Sequence, residues 1–382
     1  MMVSETMVTE ADVICPATLQ QVLDVQRPAV FGDAGAGTVA GESVPADISR
    51  IESVVNCLQT VNDAAVVSDV IKFVPRIRSG SYDNIGSRPS MEDEHIRVDD
   101  LSALLGSECC TPSAFYAVFD GHGGPEAAAY VKRNAMKLFF KDTVLPETSA
   151  IDDIFLKELE SYHRKAFLLA DLALKGDCSV SNSCGTTALT ALILGRHLLV
   201  ANVGDCRAVL CRKGVAVEMS QDHKPSFPPE QKRVEDLGGW INDGYLNGWL
   251  SVTRALGDWD LKLPVGSAKP LIADPDVKQV ILTEDDEFLI IGCDGIWDVM
   301  TSEYAVSLVR QGLKRHSDPH QCARELVMEA LRLNTSDNLT VIVICLSSSD
   351  QPESFPSQRR RFRCLSLSEE ARNKLKSLLE GN

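Results

Sequence analysis

AFYAVFDGHGG, residues 114–124, begins as a strand and ends as a site. Phe115–Phe119 is a short apolar, aromatic and β-branched run, the composition of a buried strand. Asp120-Gly121-His122-Gly123-Gly124-Pro125 stops it, because neither strand nor helix continues through that many glycines and a proline. Pro125 then opens a helical pattern over Glu126–Phe140, with proline at its first position. A carboxylate at a strand end beside glycine backbone suits the holding of an ion. Taken alone, the corner reads equally well as an ordinary strand–turn–helix connection with a solvated Asp120.

The rest of the chain narrows the choice. Its 382 residues are enough for one or two domains with a substantial core, and 44% hydrophobic with 24% charged residues is a globular composition. The net charge is −16, and residues 1–72 carry ten acidic side chains against three basic ones. Such a surface repels phosphate backbones, which argues against nucleic acid as a partner but tolerates a phosphoprotein whose phosphate meets local cations. No apolar run reaches bilayer length, and MMVSETMVTEADV lacks the basic and apolar regions of a secretion signal. The expected setting is therefore the cytoplasm and/or nucleus, with no membrane partner. Twelve cysteines include no CxxC pair, and Cys206, Cys211, Cys293 and Cys345 sit in apolar runs, so they read as reduced, buried thiols. Structural zinc is not expected.

Three regions follow from the pattern: an acidic, flexible N-terminal extension over residues 1–72, an ordered domain over 73–347, and a tail over 348–382. Within the extension, Phe31–Glu42 imitates a glycine-rich phosphate loop but lacks the lysine and the preceding strand. The tail carries Arg359-Arg360-Arg361-Phe362-Arg363 and a possible short amphipathic helix over Ser368–Leu379. In the ordered part, Tyr82–Met91 reads as a loop bearing Arg88, and Ile96-Arg97-Val98 alternates like a strand. Ile151–Leu174, Ser302–Leu313 and Pro319–Leu331 have helical periodicity. Ala188–Leu194 and Leu198–Val203 form a hairpin through Gly195-Arg196-His197, and Ala208–Cys211, Phe288–Gly292 and Leu339–Cys345 are further strands. Gln221–Gly248 is polar and irregular, and its length suggests a functional surface flap.

Four acidic sites share one context. Asp120 and Asp294 follow buried strands, Asp337 precedes one, and Glu92-Asp93 precede another. If strand pairing gathers these ends at one rim, the carboxylates need raised pKa values or a compensating cation. Oxygen ligands without a His or Cys cluster select a hard ion, Mg²⁺ or Mn²⁺, over zinc. Two such ions bridged by one carboxylate would lower the pKa of a shared water and create hydroxide near neutral pH.

At this point the chain resembles a known family. Gly86–His95 (GSRPSMEDEH), Val118–Gly124 (VFDGHGG), Gly185–Ala188 (GTTA), Val203–Arg207 (VGDCR), Asp222–Pro225 (DHKP), Leu250–Asp258 (LSVTRALGD), Cys293–Val299 (CDGIWDV) and Ser336–Thr340 (SDNLT) are similar, in order, to the type 2C (PPM) metal-dependent serine/threonine protein phosphatases, most of all the plant members. The resemblance covers roughly residues 75–347. It implies an α+β fold, a four-layer αββα sandwich of two antiparallel sheets flanked by helices, with metals at one end. It implies that Asp120 bridges two ions, that Gly121 offers its carbonyl, that Asp294 and Asp337 complete one coordination sphere, and that Glu92 and Asp93 serve the other ion partly through water. Asp205, Asp294 and Asp298 match positions that hold a third ion in some members. Arg88 matches the phosphate clamp, suited by its planar fork of donors, and His122 the general acid for the leaving serine or threonine oxygen. The implied reaction is direct attack of hydroxide on phosphorus with no phosphoenzyme, by a monomer acting on phosphorylated proteins.

The residues also leave rivals. Asp298 could instead cap the helix near Ser302, and Asp205 could serve a turn after Gly204. Cys206–Arg212 satisfies the C-x₅-R spacing of cysteine phosphatases, but Arg-Ala-Val-Leu-Cys suits a strand rather than a glycine-bearing phosphate loop. A catalytically dead scaffold would be free to lose acidic positions, and this chain keeps Glu92, Asp93, Asp120, Asp294 and Asp337 together with Arg88 and His122. In the flap, Tyr245-Leu246 stands where many relatives carry Arg-Val. Ile241, beside Trp240, takes the place of the tryptophan that engages hormone receptors in some plant members, so regulation by such receptors is not expected.

Overall fold

Every residue of β3 (Ser113–Phe119) is buried, which requires apolar cover on both faces of its sheet. Ala114, Tyr116 and Val118 face one side and pack with Leu189, Leu198, Leu210, Ile291 and Ile342. Phe115, Ala117 and Phe119 face the other and pack with Val131, Phe139, Phe167 and Ala170. This two-residue alternation sorts β3 between a sheet–sheet core and a sheet–helix core. The computed structural model describes residues 73–106, 111–141, 151–262 and 269–346. The expectations for 1–72 and 348–382 lie outside the described residues.

Two five-stranded antiparallel sheets form the centre. The first runs β2 (Glu94–Val98), β3, β6 (Ala188–Leu194), β7 (His197–Val203) and β13 (Asp276–Ile281). The second runs β1 (Arg78–Asn84), β15 (Leu339–Cys345), β14 (Asp286–Gly292), β8 (Arg207–Arg212) and β9 (Val215–Glu218). Helices α1 (Leu101–Leu105), α2 (Glu126–Phe140) and α3 (Asp153–Gly176) contribute Leu101, Val131, Phe139 and Phe167 to the core on the first sheet. The core on the second sheet takes Ile296 from the single turn α6 (Asp294–Trp297), Val306 and Val309 from α7 (Ser302–His316), and Ala323 and Leu326 from α8 (Pro319–Arg332). The architecture is the expected α+β sandwich, with helices outside both sheets.

Pairing register explains the rim. Gly292 lies opposite Val341, so Asp294 leaving β14 and Asp337 entering β15 come side by side. Glu94 lies opposite Phe119, so Asp93 stands beside Asp120. A small sheet of β4 (Gly121–His122), β5 (Gly185–Thr186) and β12 (Leu256–Gly257) closes the same end.

Three local expectations change. Strand β1 was not evident in the sequence, since RSGSYDN has no clear alternation; Gly80 within it lies where a Cβ would stand 2.1 Å from the backbone N of His320 on α8. Helix α7 is capped by Thr301, whose hydroxyl accepts from Tyr304 N at 3.2 Å, so Asp298 does not cap it. The flap is less irregular than its composition suggests. It contains α4 (Pro228–Asp236) and a hairpin of β10 (Ile241–Asn242) and β11 (Tyr245–Leu246). Val234, Leu246, Val252, Ala255 and Leu271 give it a core of its own, against which Leu261 of α5 (Trp259–Lys262) packs.

Candidate active site

Asp120 is fixed by its backbone: its N–H donates to Thr187 Oγ1 at 3.2 Å, and its carbonyl accepts from Thr187 N at 2.9 Å and Thr186 Oγ1 at 3.1 Å. The carboxylate is left free to face the cleft. Asp120, Asp205 and Asp294 bring one oxygen each within 4.8 Å of one another, and Asp93, Asp120 and Cys293 form a second such group. Asp120 belongs to both. Asp120, Asp205 and Asp294 line a cleft of about 190 Å³ that is also bordered by Arg88, Glu92, Gly121, His122 and Asp337.

Electrostatics set these acids apart. Burial, then Asp93 and Asp294, raise Asp120 well above the usual carboxylate range. Burial followed by Asp294 raises Asp205 to about 8, against a smaller opposing pull from Lys224. Burial is also the leading cause that lifts Asp93 and Asp294 to about 6. Asp93 Oδ2 and Asp205 Oδ2 are buried with no hydrogen-bond partner, an expensive arrangement for an acid without a bound cation. Oxygen-rich, mutually repelling and unsatisfied, this donor set fits a pair of hard divalent ions.

The other expected residues take distinct places. Arg88 reaches over the rim, its Nη2 donating to Asp337 Oδ2 at 2.7 Å while the side chain stays 54% exposed. Glu92 lines the cleft, but its carboxylate already accepts from Ser90 Oγ at 2.9 Å and Gly124 N at 3.1 Å. Gly121 could carry no side chain, since a Cβ would lie 2.4 Å from Glu92 O. Asp298 joins neither carboxylate group; Lys224 Nζ donates to it at 2.7 Å and also lies 3.5 Å from Asp205. His122 contacts Asp258, Nε2 to Oδ2, at 2.8 Å. Cys206 is fully buried and its thiol pushed well up by that burial, then by Asp120, the opposite of an activated nucleophile.

Three further residues complete the site. Asn338 stitches the Arg88 loop to Asp337, accepting from Glu92 N at 2.8 Å and donating to Ile85 O at 2.9 Å and Ser90 O at 3.0 Å. Lys224 bridges two acids. Asp258 meets His122. All three stand inside the quoted motifs SDNLT, DHKP and LSVTRALGD, which was the available signal.

The chain also has relatives among known proteins. Residues 77–339 match the family described as Protein phosphatase 2C. The chain is 56% identical, over 395 aligned positions covering all of both chains, to "Probable protein phosphatase 2C 13" of Arabidopsis thaliana. It is 62% identical to "Probable protein phosphatase 2C 2" of Oryza sativa subsp. japonica, over 82% of this chain and 84% of that one. Among solved structures, a serine-threonine phosphatase 2C from Toxoplasma gondii shares the fold with a TM-score of 0.59 at 21% identity, over 72% of this chain and 98% of the other.

Proposed function

Because the chain belongs to the protein phosphatase 2C family as a plant-type member, and is thus a hydrolase of the serine/threonine protein phosphatase kind, we propose that Asp120 and its neighbours hold two Mg²⁺ or Mn²⁺ ions for that reaction. The observation that carries this is a pair of buried oxygens with no hydrogen-bond partner, Asp93 Oδ2 and Asp205 Oδ2, one in each of the two groups that share Asp120, the second with Lys224 Nζ at 3.5 Å. Asp120 would hold both ions, the Gly121 carbonyl, Asp294 and Asp337 would serve one of them, and Glu92 and Asp93 would serve the other, partly through water. Asp205 with Asp294 forms a third, looser place, with Asp298 at its margin. When bound, the ions activate a water for direct attack on phosphorus and offset phosphoryl charge, with no phosphoenzyme.

The chain's own residues do the rest. Arg88, exposed and planar, swings from Asp337 to clamp the phosphoryl oxygens with paired donors. His122, at the cleft edge, hands a proton to the departing serine or threonine oxygen. The substrates are phosphorylated proteins, residues 73–347 are the catalytic domain, and the working form is a monomer of the cytoplasm and/or nucleus. A net charge of −16 disfavours nucleic acid, and among the described residues no helix is long and apolar enough to cross a membrane. The test is phosphate release from a phosphothreonine peptide. Chelation should abolish it, Mg²⁺ or Mn²⁺ should restore it, and thiol alkylation should leave it intact. Undiminished turnover in chelator would sink the proposal.

A further inference from the structure

We propose that Asp258 is the positioning residue for His122: it takes the imidazole Nε2–H, fixes the ring plane, and leaves Nδ1 as the nitrogen that serves the leaving group. This rests on the acid role given to His122 above.

Three strands of two residues each bring the pair together. His122 on β4 lies opposite Gly185 on β5, and Gly257 on β12 lies opposite the same Gly185 from the other side. Asp258 follows Gly257, so its side chain and that of His122 approach across the central strand and meet over Gly185, Nε2 to Oδ2, at 2.8 Å. A Cβ on Gly185 would stand 2.0 Å from Asp258 Oδ2 and 2.4 Å from His122 Nε2, so the meeting requires glycine there. The backbone is bent to make it happen. Asp258 has φ of +52°, a left-handed conformation that a side-chain-bearing residue adopts at a cost. Its N–H donates to Cys184 O at 2.9 Å, which holds the bend in place.

A staple of β12 to its surroundings would not need this carboxylate. Asp171 already does that work, accepting from Gly257 N at 2.8 Å and from Lys262 Nζ at 2.8 Å. Asp258 is only 4% exposed, and among the described residues His122 is the one basic group in ion-pair reach of it. A buried acid aimed at one imidazole nitrogen is how a ring is held to a single orientation. Among the described residues Nδ1 has no protein partner. As the phosphorus–oxygen bond breaks, its electron pair stays on the serine or threonine oxygen, which takes the proton from Nδ1 of the imidazolium. The ring is left neutral and still donates Nε2–H to Asp258.

The decisive variant is Asp258→Gly, because glycine accepts the left-handed φ and removes only the carboxylate. With Mn²⁺ present, kcat on a phosphothreonine peptide should fall about 10- to 100-fold, while KM and kcat on p-nitrophenyl phosphate, whose leaving group needs little protonation, stay within about twofold. His122→Ala should show the same selectivity, and the double variant should be no slower on the peptide than His122→Ala. Equal losses on both substrates, or additive losses on the peptide, would reduce Asp258 to a structural staple and overturn the inference. If His122→Ala itself slows both substrates alike, the acid role falls and takes this inference with it; a selective His122→Ala beside an unselective Asp258→Gly sinks the inference alone. Should Asp258→Gly not fold, the imidazole ¹⁵N spectrum of the unaltered protein decides. The Nε2–H form of neutral His122 supports the pairing, and the Nδ1–H form refutes it.

Discussion

Glu230 in the flap and Asp93 and Asp205 at the rim are all buried carboxylates, yet their protonation is pushed in opposite directions. Burial acts to raise Glu230 as well, but Arg254 and Arg233 outweigh it and hold that acid well below the usual range. Arg254 Nη2 and Arg233 Nη2 each lie 2.7 Å from a Glu230 oxygen, and Thr253 Oγ1 donates to it at 2.6 Å. Among the described residues no arginine pairs with Asp93, Asp120, Asp205 or Asp294; Lys224 stands 3.5 Å from Asp205, and otherwise acid faces acid. The difference lies in what completes each cluster: the flap corner carries its own cations, whereas the rim, on the metal-binding reading proposed above, takes its cations from solution. Low dielectric alone therefore does not mark a functional acid; low dielectric with too little protein cation to offset it is the sharper sign.

The largest expected effect is at the rim. Asp120→Asn should lower turnover of a phosphothreonine peptide by about 10³-fold or more, since it removes the charge shared by both acidic groups. The same change relieves like-charge repulsion, so its melting midpoint in chelator should not fall below that of the parent. A variant that kept its turnover would end the distinction drawn here. Glu230→Gln should do the reverse. Two arginines would be left partly buried without their acid, costing about 3 kcal/mol of unfolding free energy by denaturant titration, while turnover per folded molecule stays near that of the parent. Loss of stability at Asp120 but not at Glu230 would invert the comparison.

Much of this was legible in the chain and some was not, for physical reasons. Asp120, Asp294 and Asp337 could be picked out because buried strands announce their ends, and a strand end is where a short acid emerges from a sheet. Their convergence was only conditional, because it depends on pairing register, which has no local signal. β1 was invisible since Gly80 is required by the backbone of α8 crossing above it, a contact between residues 240 positions apart. For Asp298 a cap reading stood beside the metal one because an acid shortly before a helix is often a cap, yet Thr301 sits closer to the first turn and Lys224 claims the acid. Asp258 could not be placed at His122 from the sequence, because three separate strands must pair before the two side chains meet.

A smaller effect concerns ions and pH. Mn²⁺ in excess should raise the unfolding free energy of the parent and of Glu230→Gln alike, by about 2–3 kcal/mol at a hundred times the dissociation constant, and should barely change that of Asp120→Asn. The pH dependence has a definite sign. Asp93 and Asp294 near 6 and Asp205 near 8 are raised above an unfolded value of 3.8, so the folded chain holds protons that the unfolded chain has released. Their contribution to stability is complete below about pH 4 and is lost as pH rises toward 8. Metal-free protein should thus lose stability across that window, and the Mn²⁺ increment in calorimetry should be larger at pH 8 than at pH 6. A metal-free midpoint that climbed through the same interval would contradict the rim's unpaired state.

The finest test exchanges one kind of cation for the other. Lys224 is the protein's own partial answer to the rim, 3.5 Å from Asp205 and 2.7 Å from Asp298. Its ammonium is itself raised above the ordinary lysine range by those acids, against the opposing pull of burial. Lys224→Met keeps the length of the stem and deletes the charge, so Asp205 loses a group that lowers its pKa. If cation deficit is what separates the rim from the Glu230 corner, this variant should melt lower in chelator and recover more on adding Mn²⁺, with ion affinity tightened about fivefold, near 1 kcal/mol. Titration calorimetry of parent and variant measures that ratio directly. Weaker binding after the lysine is removed would mean that Lys224 helps to build the site rather than competing for it, and that the rim, like the flap corner, is completed by the protein itself.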